Sequence, residues 1–108
     1  MRLEYYDEAK LKREILEILG RHLNLEKYRV FFFGSRVAGG GDARSDIDLG
    51  IEGPEPVSAE AMLAIQEALE QLSTLYKVEV ADFRRVGAGF KNLAKQNIEL
   101  ITQVNVKV

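Results

Sequence analysis

The amino-acid sequence predicts an α/β fold of the α+β type, with a mixed β-sheet and helices packed mainly on one of its faces. Two long segments repeat apolar residues at steps of three and four positions, as amphipathic helices do. Shorter segments are alternating or continuously apolar, as strands are. The resulting order is α-β-β-α-β-α-β. Because no internal repeat or linker interrupts it, we expect residues 1–108 to form a single domain with one sheet.

The first predicted helix runs from Asp7 to about His22, and its apolar residues lie on one face. These residues are Leu11, Ile15, Leu16, Ile18, Leu19 and Leu23. The first predicted strand, Tyr28 to Phe33, is nearly all aromatic or β-branched, and it stops at Gly34. Such a continuous apolar run is typical of a strand that is buried on both faces.

A glycine-rich segment and an alternating strand come next. Residues 36–45 contain three consecutive glycines and no apolar period, which predicts a flexible loop. Residues 46–52 alternate strictly between polar and apolar, so successive side chains point to opposite faces. The core face receives Ile47, Leu49 and Ile51, and the other face receives Asp46, Asp48 and Gly50. The second strand therefore presents one apolar face and one acidic face.

The second half of the chain begins with a helix that Ser58 is expected to cap. Its apolar positions are Met62, Ile65, Leu69, Leu72 and Tyr76. Residues 77–83 alternate again, as a strand does. The core face of this strand receives Val78 and Val80, and the other face receives Glu79. A short helix within residues 87–97 and a last strand at residues 98–102, followed by alternating valines, complete the prediction.

The composition limits the classes of function. With 15 basic and 17 acidic residues the formal net charge is -2, so no overall positive field draws the chain strongly to nucleic acid. The absence of cysteine and the single His22 exclude a disulfide scaffold and a metal site built from thiolates or imidazoles. A metal ion would need oxygen ligands. No apolar run approaches the roughly 18 residues of a membrane span, and the N-terminal segment does not resemble a signal peptide, so we expect a cytoplasmic protein.

Two acidic residues and a glycine-rich loop form the pattern that carries chemistry. Asp46 and Asp48 stand two positions apart on a strand, so their side chains point the same way with Cα atoms roughly 6.5 to 7 Å apart. One or two divalent cations can bridge such a pair. Gly34 and Ser35 begin the loop at a strand end, where backbone N–H groups and the serine hydroxyl can hold phosphate oxygens. Adjoining phosphate and metal sites suit phosphoryl or nucleotidyl transfer.

Each of these features also has a simpler interpretation. The acidic residues of the second strand can be the solvent face of an amphipathic strand, which needs no metal ion. Gly39 to Gly41 can belong to a mobile connector that binds nothing. Glu79 can be an ordinary solvated strand residue. It is the combination of Gly34-Ser35 with the acidic strand that favours a functional site.

This combination resembles the hallmark of the minimal nucleotidyltransferases, a group within the DNA polymerase β-like nucleotidyltransferase superfamily. The hallmark is Gly-Ser, ten residues and Asp-x-Asp, and here it is met by Gly34-Ser35 and, after ten residues, by Asp46 and Asp48. The segments FFFGSR and SDIDLGIE flank the loop in the expected order, and the resemblance covers roughly residues 28–102. It implies the nucleotidyltransferase fold.

The resemblance also implies a role for each residue of the pattern. Gly34 and Ser35 would hold the β and γ phosphates of a nucleoside triphosphate such as ATP. Asp46 and Asp48 would bind two Mg²⁺ ions, so they are candidates both for catalysis and for metal binding. The further candidates for nucleotide binding, in and after the loop, are Arg36, Arg44 and Ser45.

The family takes a third carboxylate from a later strand, where it activates the attacking hydroxyl together with one metal ion. Alignment with that strand points to Glu79 in the VEVAD segment, as a catalytic residue and as a metal ligand, and Asp82 is the second choice. Two departures from the family pattern stand out. Glu79 is one methylene longer than the usual aspartate, and Ala38 replaces the second arginine of the phosphate loop, for which Arg44 is the candidate substitute.

The resemblance implies an enzyme that moves AMP, or another nucleoside monophosphate, from a nucleoside triphosphate to a hydroxyl group. Minimal nucleotidyltransferases are typically encoded beside a small HEPN-type toxin and transfer AMP to one of its tyrosines. We therefore expect a protein adenylyltransferase with an antitoxin role and a HEPN partner. The departures at Ala38 and Glu79 leave open a weak or inactive module that neutralises its partner by contact. A third interpretation is transfer to a small molecule held by a separate acceptor domain, and a homo-oligomer is compatible with all three.

Overall fold

The computed structural model describes residues 7–34, 46–72 and 76–102. Within them the chain forms helices and strands in the predicted order α-β-β-α-β-α-β. These are α1 (Glu8–Gly20), β1 (Arg29–Phe33), β2 (Ile47–Glu52), α2 (Ala59–Glu70), β3 (Val78–Asp82), α3 (Ala88–Ala94) and β4 (Glu99–Leu100). None of these helices is long and apolar enough to cross a membrane. The loop at residues 36–45 and the valine-rich tail, both named above, lie outside the described residues.

The strands form one mixed sheet in the order β3-β2-β1-β4. β1 lies antiparallel to β2 on one side and to β4 on the other. β2 and β3 are parallel, because α2 carries the chain back along the sheet between them. β1 is thus an inner strand, which explains why its residues Val30 to Phe33 are all buried. Among the described strands, β3 lies at one edge.

α1 and α2 pack on the same face of the sheet and bury the main core. α1 begins after Asp7, whose carboxylate accepts hydrogen bonds from two backbone N–H groups of the first turn. α2 begins after Ser58, as predicted, and the serine hydroxyl accepts a backbone N–H at 3.1 Å. The alternation predicted for β2 is also confirmed. Its residues that are fully buried in this core are Ile47, Leu49 and Ile51.

A smaller core of aromatic rings lies on the opposite face, where α3 packs. Phe31 and Phe33 of β1 meet Phe83, which follows β3, in edge-on contacts with ring centroids 4.9 and 5.0 Å away. Phe90 of α3 lies 5.9 Å from Phe33. Gly50 makes room for this cluster, since a Cβ there would overlap the Phe31 ring. With α1 and α2 on one face and α3 on the other, the expected mixed sheet with helices mainly on one face is confirmed.

The second helix is shorter than predicted. Its apolar period continues through Leu72 to Tyr76, but α2 ends at Glu70 and Gln71 caps it. Tyr76 is buried in the main core from outside the helix, just before β3. The apolar period alone therefore does not locate the end of the helix. Tyr76, which leads into β3, packs into the same core as the apolar face of α2 and so continues its spacing.

Two other elements are also shorter than predicted. α1 ends at Gly20 rather than near His22, at a glycine, the residue that weakens a helix most after proline. β4 contains only two residues of the strand predicted at 98–102, and they pair with Phe31 and Phe32. The types and the order of the elements are therefore confirmed, while their ends depend on local packing.

Glu52, the last residue of β2, ties α3 to the sheet. Its carboxylate lies 2.7 Å from the Lys95 ammonium, 3.6 Å from that of Lys91 and 2.9 Å from the Arg29 guanidinium. Burial raises the pKa of Glu52, but the hydrogen bonds and charges of Lys95 and Arg29 outweigh burial and lower the pKa to about 2. The ionised carboxylate therefore stabilises the folded state.

We expect Glu52→Gln to lower the free energy of unfolding by about 1–3 kcal/mol at neutral pH, because three cations lose their common partner. The lowered pKa fixes the pH dependence: the stabilisation is present above the ordinary value of 4.5 and is lost as the pH falls toward about 2. Urea unfolding of both proteins should show their stabilities converging across that window. Glu67→Gln, on the exposed side of α2, is the control. An equal effect of both substitutions, or an effect of Glu52→Gln that does not depend on pH, would contradict this account.

Candidate active site

The end of β1 and the starts of β2 and β3 lie side by side in the sheet. Phe33, the last residue of β1, is paired with Asp48 of β2, and Asp48 is paired with Glu79 of β3. Neighbouring strands in a sheet are about 4.8 Å apart. The turn that begins at Gly34 and two of the three candidate carboxylates therefore stand on three adjacent strands.

Gly34 turns the chain directly against the Asp48 side chain. Its φ of +90° lies in the left-handed region that residues with a side chain rarely adopt. A Cβ added at this position would also overlap the carboxylate of Asp48. Glycine is required here both for the backbone conformation and for space. The backbone of the turn and the Asp48 carboxylate are consequently in immediate contact.

The acidic side chains at this end of the sheet repel one another. Asp46 is exposed, Asp48 is half-buried, and the Glu79 side chain is 49% exposed. Burial raises the pKa of Asp48 above its ordinary value, and the negative charges of Glu79 and Asp46 raise it further. A cation placed between these carboxylates would relieve the repulsion. This electrostatic arrangement favours a cation site over a merely solvated acidic face.

Glu79 also has a positive neighbour. The Lys77 ammonium lies 3.1 Å from the Glu79 carboxylate, and both side chains are largely exposed. The hydrogen bond and the charge of Glu79 raise the pKa of Lys77. Exposed ion pairs of this kind contribute little to stability and are readily exchanged for other partners. Glu79 can therefore turn to a cation beside Asp48 when Lys77 releases it.

Asp82, the second choice for the third carboxylate, stands at the other end of β3. It is paired with Ile51, is 5% exposed, and accepts hydrogen bonds from the backbone N–H groups of Val57 at 2.7 Å and Arg84 at 2.9 Å. Arg85 lies 3.5 Å from the same carboxylate. These bonds tie the segment before α2 to the end of β3. The structure therefore brings Glu79, and not Asp82, beside Asp48.

A cleft of about 570 Å³ opens over the acidic end of the sheet. At the acidic end of the sheet, the residues that line the cleft include Gly34, Asp48 and Glu79. On the other side α3 contributes Phe90 and Leu93, which are 48% and 67% exposed, and Phe33 lies between the two sides in the sheet. From the sequence alone, Phe90 and Leu93 belong to a predicted short helix within residues 87–97 and have no functional role. No local signal places them at the cleft, because their position depends on which face of the sheet α3 covers.

The remaining candidates for nucleotide binding belong to the segment between β1 and β2. The residues concerned, which lie outside the described part of the chain, are Ser35, Arg36, Arg44 and Ser45, together with Ala38 and Gly39 to Gly41. Gly34 is the last described residue before them. Their proposed roles therefore stay predictions.

The donor set at the cleft fits a magnesium ion that arrives with a triphosphate. Among the described residues, no three His, Cys, Asp or Glu side chains converge closely enough to hold a metal ion by themselves. Mg²⁺ usually takes only one or two protein carboxylates and completes its shell with substrate phosphates and water. Asp48, whose pKa is raised by burial and by the neighbouring carboxylates, would supply a hard oxygen ligand of the required kind, with Asp46 beside it. The residues present fit such an ion.

A glycine turn against an acidic strand, on a mixed sheet of this order, is the arrangement of a nucleotidyltransferase. The family model of the nucleotidyltransferase domain matches residues 12–107. The chain belongs to this family and is a nucleotidyltransferase, so the fold class and the family expected from the sequence are confirmed.

Individual relatives agree with this assignment. The chain is 28% identical over 93 residues to the probable protein adenylyltransferase MntA of Haemophilus influenzae, covering 84% of this chain and 82% of that protein. It is also similar to a crystal structure of a toxin-antitoxin with AMP-PNP, with a TM-score of 0.69 and 16% identity over 84% of this chain and 72% of that one. A second similar structure is that of a tri-AMPylated Shewanella oneidensis HEPN toxin in complex with MNT antitoxin. Its TM-score is 0.67, with 13% identity, and the similarity covers 89% of this chain and 72% of that one. At these identities the two structural similarities show the fold.

We expect Asp46→Asn combined with Asp48→Asn to keep the fold and to raise the free energy of unfolding at neutral pH by up to about 1 kcal/mol. Because the pKa of Asp48 is raised, its ionised form opposes folding at neutral pH, and this penalty disappears as the pH falls below the ordinary value of 3.8. Thermal unfolding across this pH range measures the difference. Asp82→Asn is the control and should destabilise. A marked loss of melting temperature in the double variant would show that Asp46 and Asp48 are structural.

Proposed function

We propose that this nucleotidyltransferase transfers AMP from ATP, in the presence of Mg²⁺, to a tyrosine hydroxyl of a HEPN-type partner protein. The observation that carries the proposal is the contact of the Gly34 turn with the Asp48 carboxylate, opposite Glu79 on the next strand. It brings a candidate phosphate site and a candidate cation site together at one cleft. The family supplies the class of reaction, and the relatives suggest the partner.

The turn and the acidic strand have separate tasks in binding ATP. The backbone at Gly34 and the hydroxyl of Ser35 would hold the β and γ phosphates. Asp46 and Asp48 would hold Mg²⁺, which neutralises phosphate charge during the transfer. Burial and the neighbouring carboxylates raise the pKa of Asp48. Before a cation binds, the negative carboxylates also repel a triphosphate, so we expect nucleotide and cation to bind together.

Glu79 is proposed to accept the proton of the attacking tyrosine hydroxyl. The tyrosine oxygen forms a bond to the α phosphorus, the bond from that phosphorus to the oxygen bridging to the β phosphate breaks, and pyrophosphate leaves. The hydroxyl proton passes to the Glu79 carboxylate, which must first exchange its exposed ion pair with Lys77. The apolar side of the cleft at Phe90 and Leu93 offers a surface for a planar ring of ATP or of the acceptor.

The partner and the location are inferred from the relatives. The structurally similar complex from Shewanella oneidensis contains a HEPN toxin that carries AMP groups. The Haemophilus influenzae relative is named as a probable protein adenylyltransferase. We extend both descriptions to this chain and place the reaction in the cytoplasm, where ATP and Mg²⁺ are abundant. The role that follows is that of an antitoxin which modifies its toxin.

Two observations support an alternative function. Glu79 is paired with Lys77 at 3.1 Å, and among the described residues no set of three carboxylates is assembled for a metal ion. A module with an idle site of this kind would neutralise a HEPN partner by contact alone. The two functions differ in one observable, which is covalent AMP on the partner.

We expect the purified protein to label a tyrosine of its HEPN-type partner when both are incubated with ATP labelled at the α phosphate and with Mg²⁺. Excess chelator should abolish the label, because Asp46 and Asp48 bind the triphosphate through the cation. Mass spectrometry locates the modified residue, and the Asp46→Asn, Asp48→Asn variant is the matched control. A partner that is neutralised without any covalent label would establish the contact-only function instead.

We expect Glu79→Gln to lower the rate of AMP transfer by at least about a hundredfold, with little change in ATP affinity, because a positioned general base is worth 10²–10⁴ in rate. Glu79→Asp should retain part of the activity. Asp82→Asn should instead lower the melting temperature, since its carboxylate accepts one buried and one partly buried backbone hydrogen bond. Single-turnover kinetics and calorimetry with ATP separate these effects. A fully active Glu79→Gln variant would remove this residue from the mechanism.

A further inference from the structure

The outer edge of β3 is occupied by a side chain from α2. Strand residues turn their backbone groups alternately to the two sides, and the Lys77 carbonyl accepts a hydrogen bond from Ile47 N–H on the β2 side. The backbone groups of Val78 and Val80 therefore face outward. The Gln66 amide binds both, donating from Nε2 to the Val78 carbonyl at 3.0 Å and accepting at Oε1 from Val80 N–H at 3.1 Å.

These two hydrogen bonds stand on either side of Glu79. Glu79 itself is paired with Asp48 through the parallel register of β2 and β3. Gln66 fixes the outer side of the same short segment from a helix whose neighbouring residue, Ile65, is fully buried in the core. The backbone at Glu79 is thus held from both sides, by a strand and by a helix.

The Glu79 side chain depends on this backbone support. It is 49% exposed, and its ion pair with Lys77 is a surface pair that contributes little. The side chain can turn about its own bonds, but the distances from Asp48 that its carboxylate can reach are limited by where the β3 backbone lies. Reactions of this kind are sensitive to such placement, since a displacement of about 1 Å can cost two orders of magnitude in rate.

We infer that Gln66 is a positioning residue for Glu79, holding it at the distance from Asp48 that proton transfer from the acceptor requires. This inference rests on the role proposed above for Glu79. Glutamine suits the task because its planar amide offers one donor and one acceptor, matching one carbonyl and one N–H of an extended strand. A glutamate at this position would place a carboxylate oxygen against the Val78 carbonyl oxygen, and the two would repel each other. A methionine would make neither hydrogen bond.

The test compares Gln66→Met with Gln71→Met, a matched substitution at the exposed glutamine that caps the same helix. We expect Gln66→Met to remove the hydrogen-exchange protection of the Val80 amide and to lower the rate of AMP transfer by about ten- to a hundredfold, with unchanged affinity for ATP and Mg²⁺. Gln71→Met should change none of these. Gln66→Glu, which keeps the acceptor toward Val80, should fall between wild type and Gln66→Met.

A double-variant cycle separates positioning from general stability. If Gln66 acts through Glu79, Gln66→Met should lower the rate no further in a protein that already carries Glu79→Gln. A rate loss of the same factor in both backgrounds, or a matching loss of ATP affinity, would mean that Gln66 is merely structural and would overturn the inference. Lost Val80 protection with a normal rate would overturn it as well.

A readout that needs no turnover distinguishes this inference from the proposed function. In NMR spectra, Mn²⁺ bound together with ATP broadens the signal of the Glu79 carboxyl carbon, and this broadening falls with the sixth power of the distance between the ion and that carbon. If Gln66→Met moves the carboxylate away by about 1 Å, the broadening should fall at least about twofold. The Asp48 signal should broaden as in wild type. That result without AMP transfer would reject the proposed function and retain the positioning by Gln66. Equal Glu79 broadening in both proteins would reject the positioning, whether or not AMP is transferred.

Discussion

The close approach of the Gly34 backbone to the Asp48 carboxylate is the constraint on which the rest of the site depends. A residue with a side chain can satisfy neither the φ of +90° nor the space beside Asp48. The approach exists because β1 ends where β2 begins, in an antiparallel pair that sets Phe33 opposite Asp48. The parallel β3 then adds Glu79 to the same row. The proposed phosphate site and the proposed cation site are in this way joined by the pairing of three strands.

Two carboxylates of β2 have pKa values that are shifted in opposite directions by their surroundings. Asp48 is half-buried beside other acidic groups, so its pKa is raised and its ionised form opposes folding. Four residues later Glu52 is surrounded by Arg29, Lys91 and Lys95, and its pKa is lowered to about 2 despite burial. The first environment is suited to receiving a cation from outside. The second is satisfied within the protein, and it fixes α3, which forms the apolar side of the cleft.

The sequence was sufficient for features that depend on local periodicity. The strict alternation of β2 predicted that Asp46 and Asp48 share a face, and the alternation of β3 predicted that Glu79 faces away from the main core. It was insufficient wherever distant segments meet. The bond from Val57 N–H that occupies Asp82, and the placement of Phe90 beside the carboxylates, follow from strand order and from the face that α3 covers. The end of α2 was missed because Tyr76 continues the apolar spacing of the helix, although it lies outside the helix and packs into the same core just before β3.

The amide of Gln66 also determines how this sheet can meet other molecules. An edge strand with free N–H and carbonyl groups is a template onto which a foreign strand can add. In β3, the Val78 carbonyl and the Val80 N–H are already bonded to the Gln66 side chain of the same molecule. Extension of the sheet by an incoming strand would first have to displace Gln66, which the helix α2 holds in place. Association along this edge of the described sheet is therefore directed toward contacts between side chains, and the addition of a foreign strand at Val78 to Val80 is opposed.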